Sequence, residues 1–479
     1  MNQEKKLVKN SIYSVVYRLV NVLFPLVFSV YSSRVLTAEG VGKVTLAQTI
    51  VNYFIVIAAL GIPNYGIKKI GATQYDRSER SKVFSELFII NFLSTFICSF
   101  AFIIFFSKSK FINRNILYLI FSFHLFLNIF NVDWLYSGIE EYRYIAIRSV
   151  AIKILCLIAL PLLVRDQSDI NIYAALLCFA TVGNYLFNII NLHKYVDFRI
   201  DSLQIKRHFK PIFILLASAC ATEIYTMLDS TMVGTICSET DLGYYANAIK
   251  TVRMTYVLIT AACTVFLPRL SLYYKEGKQE EFNYLSTQGL KLVLFFSLPI
   301  FIGMELLADR LIPLLFGNGF LQSILTLRIL AVLLIVFSVA YISGHLVLIA
   351  SDKEKYTMYA SFAGATSNFI LNLILLRAVG FNGAAVASVI AEILVTIVLV
   401  SSARECVKYS VSKRFVFTTI ISTVVMGCIV IIIKRTIDNV LISCFISVLI
   451  GGMVYLLCQL LLNNDLIIFL INMGKRKYL

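Results

Sequence analysis

Charged side chains stand where the surrounding sequence is apolar, and their types indicate what they bind. Lys250 and Arg253 lie three residues apart, so on a helix they share a face, with Asn247 one turn earlier. Arg18, Lys153 and Arg328 lie inside other apolar stretches. Ammonium and guanidinium groups in a partly dehydrated setting match phosphate oxygens, so this set points to an anionic guest. Acids in comparable settings are fewer: Asp133, Glu223, Asp229 and Glu392. Proton or sodium binding at Glu223, Asp229 or Asp133 is the candidate route for ion coupling. A charge at the bilayer centre costs at least ~2.5–3.5 kcal/mol on insertion scales, so such groups face a cavity or a partner. Plainer readings stand beside these. Arg18 and Lys153 lie close enough to span ends to read as snorkelling cations. Glu392 also reads as an interhelical hydrogen-bond partner, because the helix from Gly383 to Ser388 is rich in small residues. His124, Asn128 and Asn131 fall at i, i+4 and i+7, the spacing of a polar stripe on one helix face.

No enzymatic constellation accompanies these charges. There is no G-x-x-x-x-G-K-[ST] loop to cradle ATP phosphates, and no H-E-x-x-H or G-x-S-x-G motif. His124, His193, His208 and His345 are scattered. The ten cysteines contain no C-x-x-C pair and lie mostly in apolar stretches, where they read as small core fillers. No catalytic residue, metal or cofactor is expected, apart from the coupling proton or sodium ion.

The elements that carry the charges form a ladder of about fourteen apolar stretches. The chain has 479 residues, 59% hydrophobic and 15% charged, against about a quarter charged in soluble domains. No gap between stretches exceeds roughly 25 residues, less than a soluble catalytic domain needs. The apolar runs are continuous, without the alternation of barrel strands, which leaves helices as the spanning structure. The expected spans are residues 11–33, 44–62, 84–106, 116–138, 145–164, 171–190, 211–233, 244–267, 289–308, 322–350, 357–376, 383–403, 415–434 and 440–462. The first is read as an uncleaved span and not a signal peptide. With both termini in the cytoplasm, inward segments hold nearly three times as many Lys and Arg as outward ones. The net charge of +16 is therefore a topology signal and an attraction to anionic lipid, not a nucleic-acid footprint.

The chain repeats itself at an offset of about 200 residues. Gly42 and Gly243 precede the second and eighth spans, and Ile62-Pro63 and Leu267-Pro268 follow them. Six spans per half give both halves one orientation, related by an axis along the membrane normal, with a central cleft. The expected organisation is an all-α polytopic membrane protein. It has a six-helix bundle over residues 1–190, a basic cytoplasmic linker over 191–210 and a second six-helix bundle over 211–403. Two extra helices and a basic tail fill 404–479.

Several segments resemble those of polysaccharide-repeat flippases of the Wzx type. Ser33–Lys43 (SRVLTAEGVGK) is similar to their RVLGPEGFGK segment, and Asp133–Ala146 (DWLYSGIEEYRYIA) to WxFQGLEKMKYIA. Leu242–Lys250 (LGYYANAIK) resembles VGYYSAAxK, and Leu267–Ser271 and Gly380–Glu392 also fit. The matches run in the expected order over nearly the whole chain. Thr37 and Ala38 stand where the family has Gly and Pro, and Ser137 where it has Gln. The resemblance implies the multidrug/oligosaccharidyl-lipid/polysaccharide exporter superfamily. It also implies flipping of undecaprenyl-diphosphate-linked oligosaccharide across the cytoplasmic membrane of a bacterium, for O-antigen or capsule assembly. Members have a cationic lumen, to which Arg18, Lys153, Lys250 and Arg253 correspond by helix position. A polymerase and other assembly proteins are the implied protein partners. Alternatives are a lipid II flippase or a multidrug or cation exporter of the same superfamily. The alternative of another class is a membrane polysaccharide polymerase or ligase, which normally brings a large outward loop.

Overall fold

The computed structural model describes residues 2–73, 76–108, 116–199, 201 and 203–469, apart from side chains in parts of 2–22, at 108 and at five positions between 218 and 225. Among the described residues every regular element is helical. Ten helical segments are long and apolar enough to cross a bilayer, and an eleventh forms if two helices bent by 54° at a short break count as one span. The chain is a multi-pass membrane protein. It folds as two compact units, Met1–Gly243 and Tyr244–Leu479.

The first unit opens with α1 (Asn2–Ala59), interrupted at Thr37, where φ is 64° and ψ 173°. The break separates two of the expected spans within one long helical segment. A β-branched residue at these angles is strained, because the region belongs to glycine. Next comes α2 (Ile62–Ala72), entered through Gly61 at φ 73° with Pro63 in its first turn. Ile62, Tyr65, Gly66 and Ile70 are buried and Lys68 and Lys69 exposed, so the first basic loop folds as an amphipathic helix.

After α3 (Arg77–Lys108) come α4 (Ile116–Leu127), a 3₁₀ turn (Asn128–Phe130) and α5 (Asp133–Gly138). The expected continuous span over 116–138 is thus broken, and the stripe of His124, Asn128 and Asn131 does not share one helix face. The cause is tertiary: Asn91 Nδ2 donates to the carbonyls of Asn128 and Ile129, both at 3.1 Å. The unit continues with α6 (Tyr142–Leu163), α7 (Ile170–Leu192) and α8 (Lys206–Ile236).

The basic linker is fastened to α3. Glu86, fully buried, accepts from Gln204 N at 2.6 Å and from Arg207 Nη2 at 2.7 Å. His208 Nε2 lies 2.6 Å from the same carboxylate, and its Nδ1 lies 2.9 Å from the Tyr65 hydroxyl. Burial holds the His208 imidazole below its ordinary range. Neutral, it donates through Nε2 to Glu86 and accepts through Nδ1 from Tyr65. Farther along, Arg80 Nε donates to Tyr195 O at 3.0 Å and Arg199 N to Ser85 Oγ at 2.9 Å.

Two glycines bring backbones together. A Cβ on Gly42 would lie 1.6 Å from Glu239 O, and one on Gly243 would lie 2.0 Å from Ala38 O. Each glycine packs against the residue four places before the other.

The second unit contains most of α9 (Glu239–Ala261), then α10 (Phe266–Lys275), which Leu267-Pro268 opens as Ile62-Pro63 opens α2. It continues through α11 (Gln279–Phe316), α12 (Ser323–Ala331), α13 (Leu333–Ala340) and a π-helical segment (Tyr341–Leu348). The remaining helices are α14 (Lys355–Val379), α15 (Phe381–Ala403), α16 (Lys413–Thr436) and α17 (Val440–Leu461). A Cβ on Gly383 would lie 2.3 Å from Leu375 O, so the small residues at the start of α15 serve close packing on α14. Ser412 and Asn439 cap α16 and α17 by accepting from Phe415 N and Ile442 N, each at 3.1 Å. Tyr455 on α17 donates to Phe295 O on α11 at 2.7 Å, and Lys434 on α16 pairs with Asp309 at 2.6 Å.

Candidate functional site: intramembrane cations and their partners

In the first unit, α6 positions two cations facing inward. Lys153 is buried; its Nζ donates to Asn21 Oδ1 on α1 and lies 5.5 Å from the Phe24 ring. Asn21 hydrogen-bonds in turn with Tyr17, which is within electrostatic reach of Asp133 and Arg148. Arg148 is the better-held cation. Its side chain is only 3% exposed, and Nη2 pairs with Asp133 at 2.8 Å. Nε donates to Asn184 Oδ1 at 3.2 Å, and Nη1 donates to Asn188 Oδ1. The guanidinium also lies 5.9 Å and 5.2 Å from the rings of Tyr136 and Tyr144. Asn188 Nδ2 closes the circle by donating to Asp133 Oδ1 at 2.8 Å.

Sequence reasoning missed Arg148. It lies near a span end, where a cation reads as a snorkeller. The usable signal was Asn184 and Asn188, at i and i+4, together with Asp133. His124 faces the same interior, its Nε2 3.3 Å from the Tyr185 hydroxyl. It acts as a packing residue with a satisfied ring nitrogen. Asp133 is not a solitary carboxylate: Arg148 and Asn188 both engage it.

Asp229 is buried on α8, and Glu223 on the same helix is exposed. Arg18 lies on α1, and its side chain is outside the described residues. In the second unit, Lys250 and Arg253 stand one turn apart on α9, half-buried. Asn247, one turn earlier, is fully buried. Glu392 is buried on α15, within electrostatic reach of Tyr256 on α9. Arg328 belongs to a different group. Its Nε donates to Glu305 O at 3.3 Å and its Nη2 lies 4.0 Å from Asp309, the residue that pairs with Lys434. The candidate residues therefore form separate groups: Lys153 and Asp133 with their amide partners in the first unit, Lys250 and Arg253 on α9, and Arg328 in the last turn of α12. Among the described residues no group of His, Cys, Asp and Glu is arranged to hold a metal ion.

Comparison with known proteins bears on these groups. The sequence pattern of the family described as polysaccharide biosynthesis protein matches residues 7–274, and that of the MatE family matches 215–374. A Shigella dysenteriae protein whose name assigns it to O-antigen transport is 24% identical over 397 residues, covering 80% of this chain and 96% of that protein. A Haloferax volcanii protein named as a flippase of low-salt glycan biosynthesis is 24% identical over 247 residues, about half of each chain (51% and 52%). Among solved structures, the lipid II flippase MurJ in an inward closed conformation superposes with a TM-score of 0.74 at 19% identity, covering 96% of this chain and 100% of that one. An outward-facing multidrug resistance MATE transporter superposes at 0.57 with 16% identity, covering 84% of this chain and 95% of that one. These structures share the fold.

Proposed function

The chain belongs to the polysaccharide biosynthesis protein family, and from that premise we propose that it is a flippase for lipid-linked oligosaccharide. The guest is a polyprenyl-diphosphate-linked repeat unit, moved across the cytoplasmic membrane for surface polysaccharide assembly. The observation that carries the reading is Lys250 and Arg253 one turn apart on an apolar helix, together with buried Lys153 and Arg148 held by amides and aromatic rings in the first unit, in a chain whose relatives are named for glycan transport. Lys250 and Arg253 on one face of α9 suit the two phosphates. The glycan, being polar, follows the diphosphate through the protein while the polyprenyl tail stays in lipid. A cation exporter of this fold would be served better by acids than by the cations seen here.

Transport proceeds by alternating access. The membrane potential, negative inside, favours outward movement of the anion by ~2.3 kcal/mol per charge per 100 mV. The harder step is the return of an empty cationic site. Proton or sodium binding at Glu223, Asp229 or Asp133 is the candidate that eases it. We read fourteen spans in two repeats of six plus α16 and α17, with both termini cytoplasmic. Support comes from the Thr37 break, which divides α1 into two spans, and from the reciprocal packing of Gly42 and Gly243. A polymerase and the lipid-linked glycan are the proposed partners.

The test is a reconstituted flipping assay with a diphosphate-linked glycan. Lys250→Ala and Arg253→Ala should each slow flipping by at least about ten-fold, as expected for loss of a charge-assisted phosphate contact. Unchanged flipping in both variants rejects the site.

A further inference from the structure

The second unit holds an aromatic group that phosphate binding does not use. Tyr256 lies one turn beyond Arg253 on α9. Its ring centroid is 5.0 Å from Phe337 on α13 and 6.5 Å from Tyr341, and the two tyrosine rings meet edge-on at 78°. Tyr341 stacks on His345 at 5.1 Å with 27° between planes. Both belong to the π-helical segment Tyr341–Leu348. Extended π winding is rare, and π-bulges recur at functional sites.

The segment is sharply two-faced. Ile342, Ser343, Gly344, Leu346, Val347 and Leu348 are buried, whereas Tyr341 is half-exposed and His345 exposed. Gly344 lets α15 approach, since a Cβ there would lie 3.0 Å from Leu399. Packing therefore uses one face and leaves the stacked pair on the other, beside Tyr256 of α9. An exposed imidazole within a spanning segment is costly against hydrocarbon and cheap in a polar cavity.

We propose that Tyr256, Tyr341 and His345 form a stacking platform for the sugar joined to the diphosphate. This rests on the flippase reading above. The apolar C–H face of a pyranose packs on aromatic rings. The edge-on tyrosines offer two walls at nearly a right angle, and the His345 ring extends one of them. Arg253 and Tyr256 are separated by about 4.5 Å along the helix axis. That offset is comparable to the distance between a phosphate and the ring it carries. The cations thus hold the charge common to all such lipids, and the platform reads the saccharide.

Binding to the purified full chain in detergent tests this with two probes: undecaprenyl diphosphate bearing one N-acetylglucosamine, and sugar-free undecaprenyl diphosphate. Tyr341→Leu and His345→Leu should weaken binding of the glycosylated probe about five-fold while leaving the sugar-free probe within two-fold. Tyr341→Phe, which keeps the ring, should keep the preference. Arg253→Ala should weaken both probes alike. Equal losses on both probes in the leucine variants, or no loss on either, overturn the platform. His345→Leu lies on the exposed face and provides the reading if Tyr341→Leu does not fold. Parallel flipping measurements separate the two readings. Wild-type protein that discriminates the probes but moves neither defeats the flippase assignment alone. Wild-type protein that flips the glycosylated probe, with leucine variants that discriminate unchanged, defeats the platform alone.

Discussion

Removing Asp133 should expose how strongly the first unit depends on the Arg148 network. Arg148 is 3% exposed and makes hydrogen bonds to one carboxylate and two amides. In Asp133→Ala the guanidinium keeps the two amide oxygens and the faces of Tyr136 and Tyr144, but no anion among these contacts. Breaking a fully buried pair costs ~3–5 kcal/mol. Asp133 is 29% exposed, so entering water offsets part of this, and about 2–3 kcal/mol is expected. Arg148→Met should cost less, about 1–2 kcal/mol, because Asp133 retains Asn188 and water. The double variant should fall short of the sum by at least about 1 kcal/mol, since neither charge is then stranded. The assay is a double-mutant cycle on unfolding of purified protein in mixed micelles, followed by helical ellipticity. Losses that add to within about 0.5 kcal/mol would show the two side chains to be energetically independent and refute the reasoning.

Thr37→Gly should stabilise the protein by up to about 1 kcal/mol, the difference between relief of the φ 64° strain and the entropy of a new glycine, read as a rise in melting temperature. Gly42→Ala and Gly243→Ala should each cost about 3 kcal/mol or more, because the added methyl meets backbone that cannot rotate away; together they should cost less than the sum, in the same unfolding assay. Glu86→Ala should free the linker, raising proteolytic cleavage between residues 191 and 205 at least about ten-fold, since four donors lose their acceptor. Stability should also fall as pH drops below about 6.5, because the unfolded chain protonates His208 while the buried imidazole resists; His208→Gln should flatten that slope.

The helical ladder was legible because hydrocarbon demands long apolar runs with satisfied backbones, a one-dimensional requirement. The break at Asn128 was not, because the donor that enforces it, Asn91, is remote in sequence and unremarkable by type. The departure from the family pattern at Thr37 was visible, but only the backbone angles reveal that it falls where glycine would be unstrained. Lys250 and Arg253 stand out in the sequence because their spacing is helical and their setting mid-span, and both lie on α9. Arg148 escaped because position near a span end hides burial. The pairing of Asp133 with Arg148 was not legible, because the two lie on separate helices. The linker read simply as basic, whereas its contacts with α3 depend on the single buried carboxylate of Glu86.

That carboxylate also decides where the polypeptide tolerates being made in two pieces. A gene split at residues 196–203 would follow the internal repeat, yet it would strand α8 on one product and Glu86 with Tyr65 on the other. A split between Cys237 and Ser238, in the turn between α8 and α9, keeps the whole clamp on one fragment. Co-expressed halves cut there should reassemble better than halves cut within residues 196–203. The fastening of α8 to α3 through Glu86 thus places the boundary between the two compact units downstream of the basic linker.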